Sequence, residues 1–230
     1  MIEASAGAMS RRSILTASLG VASALAIPGA TRGLFEARAE TRFAKMAARP
    51  AMMPAAPAST LGVRTDLLLR AKAALEIHGA RLANRDRIAI ADFSESSALP
   101  RFHLVNLERG ETRTLLVAHG SGSDPAHTGF VQRFSNQEGS NASCEGAFVT
   151  ADYYVGKHGR SQRLRGLDPT NSNALERAIV IHGAWYADPS MLQTHGKLGR
   201  SQGCFAVGDG DLSTVFARLG EGRLLYASKV

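Results

Sequence analysis

Cysteine is scarce in this 230-residue chain, with only Cys144 and Cys204 present, so a disulfide-dense scaffold is excluded and at most one bridge can form. Long apolar runs are missing too. The most apolar stretch, Ile14 to Ile27, is shorter than the roughly 20 consecutive residues needed to cross a bilayer, and no retained membrane anchor is expected. The seven histidines include no His-x-His or His-Glu-x-x-His pair, so they carry no zinc signature, and neither metal nor cofactor is expected. No basic tract with interleaved aromatics and no nucleic-acid module occurs, which argues against nucleic acid as a partner despite a net charge of +7. No internal repeat is visible.

What the chain does contain begins with Ser10-Arg11-Arg12-Ser13-Ile14-Leu15, followed by the weakly apolar run and then Pro28-Gly29-Ala30. This is the pattern of a twin-arginine export signal, with Ala37-Arg38-Ala39 as a small-x-small cleavage site and Ala30 as an alternative. Residues 1–39 are therefore expected to be an export signal. The mature protein would be periplasmic or extracellular, with no stable membrane anchor after cleavage. Losing four arginines and two glutamates with that segment leaves a charge of about +5, a surplus that suits an acidic polymer. Residues 40–63 hold Pro50, Pro54 and Pro57 among alanines and read as a Pro/Ala-rich linker. One domain, 64–230, remains.

That domain reads as mainly β. Leu67, Leu68, Ala71, Ala74 and Leu75 form an apolar helical stripe, with Thr65 or Asp66 as the N-cap. Arg87 to Phe93, Arg101 to Leu107 and Thr112 to Ala118 read as strands, the last two joined as a hairpin through Glu108-Arg109-Gly110-Glu111. Phe148 to Tyr154, Ala178 to His182 and Arg223 to Ala227 are further strand candidates. Asp211 to Leu219 carries Leu212, Val215, Phe216 and Leu219 at helical spacing behind an acidic start.

The chemistry concentrates in Gly199-Arg200-Ser201-Gln202-Gly203-Cys204, which lies 22 residues beyond His182 in Ile181-His182-Gly183. A cysteine is only a few per cent thiolate at neutral pH and needs a base, and an imidazole supplied by the fold is the usual one. Gly203 permits a tight turn in which the amides of Gly203 and Cys204 are candidate oxyanion donors. A Cys144–Cys204 bridge is the competing structural reading, opposed because it would silence the nucleophile and because a domain of this size builds a core without a staple.

These residues, together with Asp92-Phe93-Ser94, Ala118-His119-Gly120, Phe134-Ser135-Asn136 and Tyr154-Val155-Gly156-Lys157-His158-Gly159, resemble the murein branch of the L,D-transpeptidase catalytic domain family. The resemblance covers about residues 85 to 228. It implies an L,D-transpeptidase-like β-sandwich or barrel core with a few short helices, acting on peptidoglycan stem peptides. It also implies Cys204 as nucleophile, His182 as base and the Gly183 carbonyl as the group orienting the imidazole. Gln202 and Phe205-Ala206 depart from the wider pattern of histidine before Gly-Cys and Asn or Arg after it. A noncatalytic peptidoglycan-binding domain with a decayed site is therefore the alternative.

Arg200 is a candidate for substrate carboxylate, with bonding to backbone carbonyls as its structural role. Ser201 either donates toward Cys204 or caps the turn. His158 is a candidate site residue because Tyr154, Lys157 and Arg163 lie near it. Trp185, with Tyr186, is expected in the wall of the cleft. His119 is expected to line the cleft or to hold a loop, and His195 to sit on a flap between base and nucleophile.

Overall fold

The computed structural model describes residues 59–230. The expected export segment 1–39, and the expected linker up to residue 58, lie outside them. Among the described residues no helix is long and apolar enough to cross a membrane. Ser59 donates its amide to the Val63 carbonyl at 2.8 Å, and Val63, assigned above to the linker, is fully buried.

The domain is built on one eight-stranded mixed sheet in the order β3-β2-β1-β8-β4-β5-β6-β7. Its strands are β1 (Arg87–Asp92), β2 (Phe102–Asn106), β3 (Glu111–Leu115), β4 (Gly146–Gly156), β5 (Gly159–Gly166), β6 (Val180–Gly183), β7 (Phe205–Val207) and β8 (Leu224–Ser228). All pairings are antiparallel except β1 with β8 and β6 with β7. The chain leaving β3 continues to Ala118, whose amide donates to the Ala206 carbonyl at 2.8 Å in an antiparallel bridge. The two ends of the sheet thus meet, and the sheet closes like a barrel.

Side chains alternate across a strand, so each strand serves two layers. Ala89 and Ala91 of β1, Phe148 of β4 and Leu225 and Ala227 of β8 point inward, onto Val215, Phe216 and Leu219 of helix α3 (Leu212–Leu219). Ile88, Ile90, Ala147 and Leu224 point outward, beneath Leu67, Leu68, Ala71 and Leu75 of helix α1 (Thr65–Ile77). Arg64 occupies the N-cap of α1, with no side-chain cap bond, rather than Thr65 or Asp66. The Arg64 guanidinium instead grips Asp92 with bonds of 2.8 and 3.2 Å.

The β2–β3 hairpin turns through Gly110 at φ 67°, as its sequence suggests. Strands β5 and β7 escaped the sequence reading. Strand β6 begins at Val180 rather than Ala178, because Ala178 sits at φ 52°, in the left-handed region outside strand geometry.

Candidate active site

Phe205 is buried among aromatic rings, at 5.6 Å from Phe148, 6.0 Å from Phe93 and 6.5 Å from Phe102 between centroids. Ile181 of β6 joins the same inner core. With these two residues pointing inward, alternation sends their strand neighbours Ala206 and His182 to the opposite face. In the parallel β6–β7 ladder Ile181 is level with Phe205 and His182 with Ala206. Cys204 immediately precedes β7, two residues before Ala206, the partner of His182. Cys204 and His182 line one open cleft of about 480 Å³.

The His182 ring is oriented by its own strand. His182 Nδ1 lies 2.8 Å from the Gly183 carbonyl oxygen. A carbonyl only accepts, so Nδ1 carries the proton and Nε2, on the other edge of the ring, keeps its lone pair. Burial pushes the His182 pKa below the usual histidine value, and His158 and Lys157 push the same way against the Gly183 carbonyl and Asp209. Burial raises the Cys204 thiol, while the Val180 amide, Lys157 and Arg177 pull it down. The thiol lies 3.5 Å from the carbonyl of the strained Ala178.

The turn before Cys204 is fixed from three sides. Ser201 Oγ donates to the Cys204 carbonyl at 2.7 Å and accepts the Gly203 amide at 3.1 Å. This corrects one expectation: the Gly203 N–H is already occupied and is not a free oxyanion donor. Gly203 itself is required by its φ of 116° and by the 2.8 Å that would separate a Cβ from the Ala142 carbonyl oxygen. The Ser201 amide donates to His119 O at 2.9 Å, tying the turn to the sheet seam.

That seam rests on a buried polar group. The Arg101 guanidinium donates to the carbonyls of Val117 and Glu95 and to His119 Nδ1 at 2.7 Å. His119 Nε2 then carries its proton toward Asp124, at 3.5 Å. Desolvation, then the nearby Arg101 charge, hold His119 down to about 3. Hence His119 holds a loop rather than lining the cleft.

The remaining candidates divide. Tyr154, Ser161, His182 and Ala206 form one register row across four strands, and Tyr154 and His158 line the cleft with the base. Arg200 also lines it, but its guanidinium donates to the carbonyls of Asp124 and Pro125. Arg163 is occupied by Asp152 and stacks over Tyr154 at 4.1 Å. Trp185 departs from expectation: Tyr186 faces the cleft, whereas Trp185 is 68% exposed outside it, edge-on to Tyr186 at 5.9 Å. The short 3₁₀ turn Trp185–Ala187 separates them, with the Tyr186 carbonyl fixed by the Gly199 amide at 2.7 Å. His195 ends a short helix, α2 (Ser190–His195), closed by Gly196 in the left-handed conformation.

Arg177 was not singled out from sequence. Its guanidinium donates to the carbonyls of Ser135 and Ala142 and to Ser140 Oγ, and lies 2.6 Å from Cys144 Sγ. It thereby fixes the segment flanking the cleft opposite Gly203. Both cysteines are free, with Cys144 buried under Arg177.

The Cys204 thiol and the His182 imidazole thus line one cleft with Tyr154, His158 and Tyr186. The chain belongs to the L,D-transpeptidase catalytic domain family, which it matches over residues 62–228. Among solved structures it is similar to L,D-transpeptidase 3 of Mycobacterium tuberculosis in complex with a faropenem-derived adduct, at 10% identity over 63% of this chain and 60% of that one, with a TM-score of 0.40. It is also similar to an L,D-transpeptidase of Mycobacterium smegmatis (12% identity, 62% and 58% covered, TM-score 0.38). A third is the helical cell shape determining protein Pgp2 of Campylobacter jejuni (11% identity, 73% and 57% covered, TM-score 0.42). The chain spans about three-fifths of the length of these structures. A comparison with curated proteins found no match.

Proposed function

We propose that this protein is an exported peptidoglycan L,D-transpeptidase that forms an acyl-enzyme on Cys204. The observation that supports this most directly is the His182 Nδ1 bond to Gly183 O, which leaves Nε2 unprotonated on the face shared with Cys204. Nε2 takes the thiol proton as Sγ attacks the carbonyl between the L-centre and the terminal D-residue of a stem peptide. The oxyanion accepts from the amide of Cys204. The imidazolium then returns its proton to the departing amine, releasing the terminal D-amino acid and leaving a thioester. An amine of a second stem peptide attacks the thioester, His182 relays its proton to the sulfur, and the free thiol is regenerated. Water in place of the amine gives carboxypeptidation. Export by the twin-arginine-type segment brings the enzyme to a periplasmic or extracellular wall.

Phe205-Ala206, a departure from the wider family pattern, has a packing explanation, because Phe205 fills the aromatic core and Ala206 lies under the seam. The test is intact-protein mass spectrometry after incubation with a synthetic tetrapeptide stem and, separately, a carbapenem. An adduct that disappears in Cys204→Ser and His182→Ala supports the enzyme. A folded protein that binds the stem yet never acquires an adduct overturns it in favour of a peptidoglycan-binding domain.

A further inference from the structure

The β4–β5 hairpin closes at the level pair Gly156 and Gly159, so Lys157 and His158 form its tip. Two residues further on, Ser161 is level with His182 on the adjacent strand. The tip therefore curls back over the base. The His158 ring stacks on the His182 ring with centroids 4.2 Å apart and planes inclined by only 18°. His158 is exposed, whereas His182 is buried. One imidazole thus roofs the other and keeps its own outer face in solvent.

The bond to Gly183 O fixes one edge of the His182 ring but leaves it free to tilt about that contact. A parallel stack removes the tilt. Two imidazolium charges at this spacing repel, so a proton on one ring opposes a proton on the other. Lys157 adds to the opposition from the same hairpin, Asp209 acts against it, and Cys204 lines the same cleft.

We propose that His158 is a positioning residue for the base, holding the His182 ring in plane with the cleft and making protonation of the two rings mutually exclusive. The inference rests on His182 being the base. His158 takes no part in bond making: it keeps Nε2 aimed, and its own protonation, reported from solvent, disfavours the imidazolium that each turnover requires. Burial of His182 and the lowered pKa of both rings agree with this arrangement.

The test combines NMR titration of the histidine rings with pH profiles of kcat and kcat/KM for wild type, His158→Ala and His158→Phe. Phenylalanine keeps a flat ring but cannot titrate. In His158→Ala the His182 titration is expected at higher pH than in wild type, kcat is expected to fall by roughly tenfold with little change in KM, and the acid limb of kcat/KM moves to higher pH. His158→Phe should recover most of the lost rate, and the acid limbs of both this variant and wild type should follow a single proton, because only one of the two wild-type rings is protonated at a time. An unchanged His182 titration in His158→Ala overturns the inference, whatever the activity. A shifted titration in a protein that forms no Cys204 adduct supports the stack and refutes the enzyme reading instead.

Discussion

Replacing Gly203 with alanine tests whether the turn before the thiol is as constrained as its geometry implies. At φ 116° an L-residue is strained by about 1–3 kcal/mol. The new Cβ would also stand 2.8 Å from the Ala142 carbonyl oxygen and 2.8 Å from Ile179 Cδ1. The first neighbour is backbone and the second belongs to the core, so crowding adds about 1–3 kcal/mol. Together these predict a loss of roughly 2–6 kcal/mol, or a fall in Tm of roughly 4–24 °C for a domain of this size. The turn must shift to relieve the contact, and a displacement of about 1 Å at reacting groups costs on the order of 10²-fold in rate. Thermal unfolding and the rate of acylation by a carbapenem, measured well below Tm, read the two effects. Gly210→Ala is the control, because nothing lies within 4 Å of its added Cβ. Wild-type Tm and acylation rate in Gly203→Ala would refute the reasoning.

Other outcomes follow from the same structure. Because burial raises the thiol and lowers the imidazole, iodoacetamide alkylation of Cys204 should be slow at pH 6 and climb steadily beyond neutrality, whereas a plateau already reached at pH 6 would show a preformed thiolate–imidazolium pair. Ser201→Ala removes the hydroxyl that bonds both Cys204 O and Gly203 N. It should slow acylation by roughly tenfold while costing about 1–3 kcal/mol of stability, checked by stopped-flow acylation and urea unfolding. His119 is held to about 3 when folded and returns to about 6.5 when unfolded. The unfolded state therefore binds the extra proton, and stability is lost as pH falls from about 6.5 towards 3, by up to about 1.4 kcal/mol per pH unit. His119→Gln should flatten that slope by one proton in unfolding titrations between pH 4.5 and 7, and an unchanged slope would sink the assignment.

Local signals made much of the fold readable. The stripe of α1, the β2–β3 hairpin and the acidic start of α3 each follow from spacing and turn chemistry within a few residues. Strand β5 did not, because Gly159-Arg160-Ser161-Gln162-Arg163 is too polar to announce a strand, and Gln162 is buried through bonds to Ala151 O and Gly220 O. Strand β7 is only three residues long, and its strand character comes from pairing with β6 rather than from its own composition. At the site, Cys204 and His182 stand out from motif and spacing, whereas the Gly183 carbonyl is pointed to only by the family resemblance. The roles of Arg177 and Arg101 depend on carbonyls distant in sequence, and an arginine beside an apolar run looks the same whether it is solvated or buried. The His158–His182 stack likewise needs the β5–β6 register, which one sequence does not reveal.

His182 stands on β6 and Cys204 immediately before its parallel neighbour β7, so the chain between them must leave the sheet and return by a crossover. That excursion contains the Trp185–Ala187 turn and α2. The anchoring of the pair lies elsewhere, in the β5–β6 pairing and in Phe205 among the aromatic rings. Within the excursion, Met191 and Leu192 pack against the cluster that holds Ala118 and Ala206, so any exchange of the segment has to keep these two apolar contacts. The exposed remainder of the crossover is the natural place to graft or lengthen a loop while the pairing of β6 with β7 is kept.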